Sequence, residues 1–182
     1  MAVAIEVTGR VVGLTVLYEL LNQQGRQCQV PVYQATMELW GSDVTNPHQF
    51  AFAVTRDVSP AIFDNLPDRY GRFGECPPSR PHHPYHGKEH LHRKTSFAIR
   101  LHESDDVTGH FLQGEGSTSR QNILIHKGPG SSKGCMMVDG GTEGFVAFTD
   151  AFRRLRLLSP GDDTILVAVE PRTQPDLIRP GG

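Results

Sequence analysis

Apolar and polar residues alternate in segment after segment of this chain, and that period of two limits the fold more than any other feature. Residues 2–8 (AVAIEVT), 29–39 (QVPVYQATMEL) and 95–102 (TSFAIRLH) all carry it. Successive side chains of a strand point to opposite faces, so the pattern predicts strands with one face buried. Residues 50–55, 109–113 and 122–126 (NILIH) predict shorter strands. Ser59-Pro60 stops the first, and the Gly/Ser-rich stretch 114–119 separates the other two. Residues 11–21 read as either strand or short helix, because their period is ambiguous. Asn22-Gln23-Gln24-Gly25 after them is a turn. Residues 164–170 (TILVAVE) are nearly all apolar, as in a central, buried strand. The 19 glycines and 13 prolines suit a chain with many turns.

One segment has the helical period instead. In residues 142–158 (TEGFVAFTDAFRRLRLL), Phe145, Phe148, Phe152 and Leu155 recur at spacings of three and four. Thr142 is the expected N-cap, and Ser159-Pro160-Gly161 the stop. The fold class is therefore mainly β with one helix. At 182 residues the chain suits a single domain, 1–182, large enough for a core without staples. Residues 64–94 break the pattern. They carry Pro67, Pro77, Pro78, Pro81 and Pro84, the histidines His82, His83, His86, His90 and His92, and few aliphatic residues. They read as an irregular insertion, either a lid folded over the domain, with Tyr85 available to a bound ligand, or a plain surface insertion. The tail 173–182 is expected to be extended or frayed.

The formal charge of −2 and the absence of a basic stripe argue against nucleic acid as a partner. No apolar run has the length of a membrane span. Residues 1–21 lack a cationic n-region and are interrupted by Glu6 and Arg10, so they read as mature structure rather than as a signal peptide. Three widely spaced cysteines, Cys28, Cys76 and Cys135, form neither a disulfide framework nor a CxxC metal site.

The chemistry concentrates in residues 123–138 (ILIHKGPGSSKGCMMV). A strand ends in His126, and nine positions on comes Cys135, preceded by glycine and small polar residues. A cysteine nucleophile needs its thiolate, which a nearby imidazole favours. Gly134 leaves the approach open and frees backbone N–H groups to meet an oxyanion.

Ser132-Lys133-Gly134-Cys135 followed by apolar Met136 resembles the Ser-x-Gly-Cys nucleophile motif of the L,D-transpeptidase catalytic domain. Ile125-His126 followed by Lys127-Gly128 resembles that family's Ile-His-Gly segment, which carries the base. The order, histidine first and then cysteine, helix and apolar strand, is the same. The likeness covers residues 95–170. It departs at Met137, where the family has arginine, and at Lys127, which intervenes before the glycine. It is closest to the short-loop branch found in phage-associated domains and type VI secretion effectors. It implies a β-sandwich, with Cys135 as acyl-accepting nucleophile, His126 as base, Gly134 with Cys135 as oxyanion donors, and Ser132 bracing the loop. Ser131, Lys127, His102 and Tyr85 are the expected substrate contacts.

The implied activity is transfer, hydrolysis or D-amino-acid exchange on peptidoglycan stem peptides, with no cofactor and no metal. The implied place of action is the periplasm or cell wall. Without a recognisable export signal, delivery by a contact-dependent system and a cognate immunity protein are further expectations. Two other readings stand beside it. One is a catalytically inactive module that binds cell wall or a partner. The other is a metal-binding protein that uses the histidine-rich segment.

Overall fold

The alternating segments do form strands, and the sheet they build closes on itself. The computed structural model describes residues 1–17, 28–40, 48–56, 80–93, 96–104, 111–113, 119–128, 135–171 and 179–180. The strands are β1 (Val3–Leu17), β2 (Cys28–Leu39), β3 (Phe50–Arg56), β4 (Arg80–His92), β5 (Ser96–His102), β6 (Phe111–Gln113), β7 (Ser119–Gln121), β8 (Leu124–Lys127), β9 (Met136–Val138), β10 (Ile165–Val169) and β11 (Arg179–Pro180). Helix α1 (Gly141–Leu158) lies between β9 and β10.

Eight strands run round a barrel in the order β1-β10-β4-β5-β8-β9-β3-β2, and β2 pairs back onto β1. The β1–β10 and β8–β9 pairs are parallel and the other pairs of the wall antiparallel. This corrects the expected sandwich. A sandwich would leave β1 and β2 as edges. Here β1 is long enough to take β10 on one side through Val3–Val7 and β2 on the other as far as Leu17. Register shifts between Val7 and Gly13 mark the irregularity at which a strand bends, and closure removes the edges. The ambiguous segment after Gly9 is thus strand through Leu17. In the tail, β11 pairs with the start of β2. Strands β6 and β7 form a separate two-stranded sheet.

Alternation decides what fills the barrel. Val3, Ile5 and Val7 of β1, Ala35, Met37 and Leu39 of β2, Ile99 and Leu101 of β5, Ile125 of β8, Met136 and Val138 of β9, and Ile165, Val167 and Val169 of β10 share one buried cluster. Phe148, Phe152 and Leu155 of α1 belong to the same cluster, as the helical spacing required. Phe148 meets Phe52 with ring centroids 5.0 Å apart, and Phe152 meets Phe97 at 5.0 Å. The helix therefore lays its apolar stripe against the barrel interior at the Phe52 and Phe97 end. Its N-cap is Gly140, in the left-handed region at φ 92°, not Thr142, and no side chain caps it. Near the other end the buried Arg56 guanidinium sits 5.3 Å from the centre of the Tyr33 ring and donates to the Glu170 carbonyl at 2.9 Å.

The largest departure from expectation is β4. Residues 80–92 are not an irregular insertion but a wall strand between β10 and β5. Tyr85 is fully buried in the core. Gly87 faces inward beside it, and a Cβ there would come within 2.8 Å of both Ile165 and Ile99. The strand is hard to recognise because its buried positions are one tyrosine and one glycine, while its outward positions are His86, Lys88, His90 and His92. Pro81 and Pro84 are tolerated where the β4–β10 register slips, between the pairs Val167↔Tyr85 and Val169↔Arg80. The rest of the expected insertion, up to residue 79, lies outside the described residues.

Candidate active site

Strands β8 and β9 are short, parallel and adjacent, with Ile125 opposite Met136 and His126 opposite Met137. Ile125 and Met136 point into the core, so His126 and Met137 face outward. One step back along the ladder sets Cys135 beside Leu124, on the outward face. The contacts agree: the Leu124 N–H donates to Cys135 Sγ at 3.4 Å, and Sγ donates to the Asn122 carbonyl at 3.5 Å. The two residues singled out in the sequence therefore stand on neighbouring strands and one face. They are diagonal neighbours, with Cα atoms roughly 7 Å apart on general sheet geometry. Gly128 permits this closeness, since a Cβ there would lie 2.9 Å from Met137 Cβ and 3.0 Å from the Val138 carbonyl oxygen. Cys135 is partly exposed and in no disulfide.

His126 is 9% exposed. Its Nδ1 lies 2.8 Å from the Lys127 carbonyl oxygen, which can only accept. The proton is therefore on Nδ1 and the lone pair on Nε2. Burial pushes the His126 pKa below the ordinary value, the Lys127 carbonyl pulls it back, and the charges of His92 and Arg93 push it down again. The outcome is a neutral imidazole with a free ring nitrogen at neutral pH.

His92 of β4 stacks on this imidazole, with ring centroids 4.7 Å apart and planes 23° apart. Strand β5 separates the two residues, with Ser96 opposite His92 and Ala98 opposite His90 in its pairing with β4. The His92 pKa is lowered too, by burial and then by Arg93. One row along, Arg100 of β5 pairs in register with Leu124 of β8 and Lys88 of β4. Its guanidinium lies 2.8 Å from His90 Nδ1 and donates to Asn122 Oδ1 at 3.4 Å. Asn122 adopts φ 57°, a left-handed conformation that asparagine tolerates better than most residues. On the other side, Thr55 of β3 pairs with Met137, and its Oγ1 is buried without a hydrogen-bond partner.

Of the expected site residues, Cys135 and His126 come together. Lys127 contributes its carbonyl to His126, while its side chain is exposed. Ser131, Ser132 and Gly134 lie outside the described residues. Tyr85 is a correction: it points into the barrel core and reaches no ligand. His102 is buried, 5% exposed, and pairs across the ladder with His86, so it does not line an open cleft as expected. Arg100 and Asn122 were not anticipated, and His92 was expected only as one of the histidines of the insertion. The signal for His92 was the period-two spacing of His86, His90 and His92, hidden by the prolines before it. Among the described residues, no group of three or more His, Cys, Asp or Glu side chains lies together so as to hold a metal ion. No helix among them is long and apolar enough to cross a membrane.

No family model matches this chain, and no curated protein and no solved structure matches it.

Proposed function

We propose that the chain is a cysteine acyltransferase of the L,D-transpeptidase type, acting on peptidoglycan stem peptides. The observation that carries this is the pairing of β8 with β9, which sets a partly exposed thiol diagonal to an imidazole whose Nδ1–H is tied down and whose Nε2 is free. In the reaction, Nε2 takes the thiol proton and Sγ attacks the carbonyl before a terminal D-residue. The C–N bond then breaks, the leaving amine takes the proton from the imidazolium, and a thioester remains on Cys135. A second amine resolves it in transfer or exchange, and water in hydrolysis. For this, Sγ must turn from the Asn122 carbonyl toward His126, a change about χ1 between staggered wells. The expected delivery as an antibacterial effector, with an immunity protein as partner, belongs to the same proposal and rests on the sequence resemblance.

One observation favours a second reading, a non-catalytic wall-binding or partner-binding module: the thiol bonds to the backbone of Leu124 in β8 and of Asn122 two residues before it. Incubation with muropeptides bearing tetrapeptide stems, with products read by mass, decides between them. The catalytic reading expects loss or exchange of the terminal D-residue by the wild type and none by Cys135→Ala. Unchanged stems with the wild type would overturn it.

A further inference from the structure

Among the described residues, no anion pairs with the Arg100 guanidinium, which stands across Leu124 from the Cys135 strand. Among the described residues, the ion pairs are Met1 with Asp162 and Arg156 with Glu89 and Asp163, and none involves Arg100. Arg100 is half-buried. Its hydrogen-bond partners, His90 Nδ1 and Asn122 Oδ1, carry no negative charge, and its Nε–H is buried with no partner. A cation held partly out of water costs free energy unless a charge opposes it. The fork is also oriented, since His90 grips Nη2 and Asn122 grips Nη1, leaving one N–H on each terminal nitrogen uncommitted. Asn122 ties this fork to the nucleophile: its side-chain oxygen accepts from Arg100, and its backbone oxygen accepts from Cys135 Sγ.

The geometry points to Arg100 as the carboxylate-binding residue of the Cys135 site, recognising the free carboxylate of the amino acid that leaves or enters at the scissile bond. The inference rests on the catalytic reading above and adds to it the residue that reads the carboxylate of the terminal D-residue. A guanidinium fork pairs with a planar carboxylate through two parallel hydrogen bonds, which an amide cannot match in charge. His90 and Asn122 are then positioning residues that aim the fork.

Three measurements on the full chain test this, each reading Cys135 by peptide mass so that Cys28 and Cys76 do not interfere. The first compares alkylation by iodoacetate, an anion, with alkylation by neutral iodoacetamide. The rate ratio at Cys135 should fall about fivefold or more in Arg100→Met and largely return in Arg100→Lys; an unchanged ratio in Arg100→Met overturns the inference. The second needs no variant, so it stands if Arg100→Met fails to fold. D-alanine should slow iodoacetamide labelling of wild-type Cys135 and D-alaninamide should not; equal effects overturn it. The third compares stems ending in D-alanine with the same stems ending in D-alaninamide. The carboxylate should be preferred by about tenfold or more in kcat/KM, the scale of one charge-assisted hydrogen bond, and Arg100→Met should erase that preference through KM. A preference that survives in Arg100→Met overturns it as well. If neither stem reacts, the catalytic reading falls, while the two labelling measurements still decide the anion site.

Discussion

Truncating Tyr85 to alanine removes the one large side chain that β4 sends into the barrel. Tyr85 is fully buried among Val167, Ile99 and the rest of the core cluster. Both strands that flank β4 are held in ladders, β10 by β1 and β5 by β8, so the wall cannot collapse into the space left behind. Removing a buried aromatic ring under these conditions costs about 3–5 kcal/mol, from lost transfer free energy plus the cavity. In a chain of this size each kcal/mol lowers Tm by roughly 2–4 °C, so the expected fall is about 6–20 °C. His83→Ala on the same strand is the control. His83 is exposed, and its replacement should stay within about 0.5 kcal/mol. Thermal melts followed by circular dichroism, with urea titrations at 25 °C, measure both variants. A fall in Tyr85→Ala no larger than the control's would refute the register that makes β4 part of the wall. The same fold requires that exchanging residues 78–89 for a Gly/Ser linker abolish cooperative unfolding, because β10 and β5 would lose their shared partner. An irregular surface insertion would tolerate that exchange with Tm unchanged.

Cys135→Ala should remove stem-peptide turnover entirely while shifting Tm by no more than a few degrees, since the thiol is partly exposed; activity above a tenth of wild type would exclude it as nucleophile. His126→Ala should slow turnover by roughly 10²-fold or more, with a residual rate that climbs with pH as thiolate forms unaided; a flat residual profile would count against the base assignment. His126 also links stability to pH. Its folded pKa is depressed, so its contribution is full above the unfolded value near 6.5 and is lost as pH falls toward the lower folded value. Urea midpoints at pH 7.5 and pH 5 should therefore converge more closely in His126→Gln than in wild type, and equal pH responses would remove the linkage. Gly128→Ala should force β8 away from β9 and lower both stability, by about 1–3 kcal/mol, and Cys135 labelling differences between wild type and His126→Ala; an unaffected melt would mean the close approach to Met137 is relieved without strain.

Much of this protein was legible in its residues because the relevant forces act locally. Period-two alternation marked β1, β2 and β5, and helical spacing marked Phe148, Phe152 and Leu155, since a side chain's face follows from backbone geometry alone. The candidacy of a strand-end His126 and a glycine-flanked Cys135 came from local sequence, while their diagonal placement on neighbouring strands depends on the β8–β9 register. Whether the sheet closed was not legible, because closure depends on β1 finding β2 and β10 at once, a long-range match that no local pattern encodes. Strand β4 was hidden for a related reason. Tyr85 and Gly87 look like loop residues until Ile165 and Ile99 close around them, and a glycine is required there only because those neighbours leave no room for a Cβ. The site divides in the same way. Sequence supplied the thiol and the imidazole. Only the barrel brought His92 across β5 onto His126, and Arg100 beside Asn122, because residues far apart in the chain become neighbours only where strand register sets them side by side.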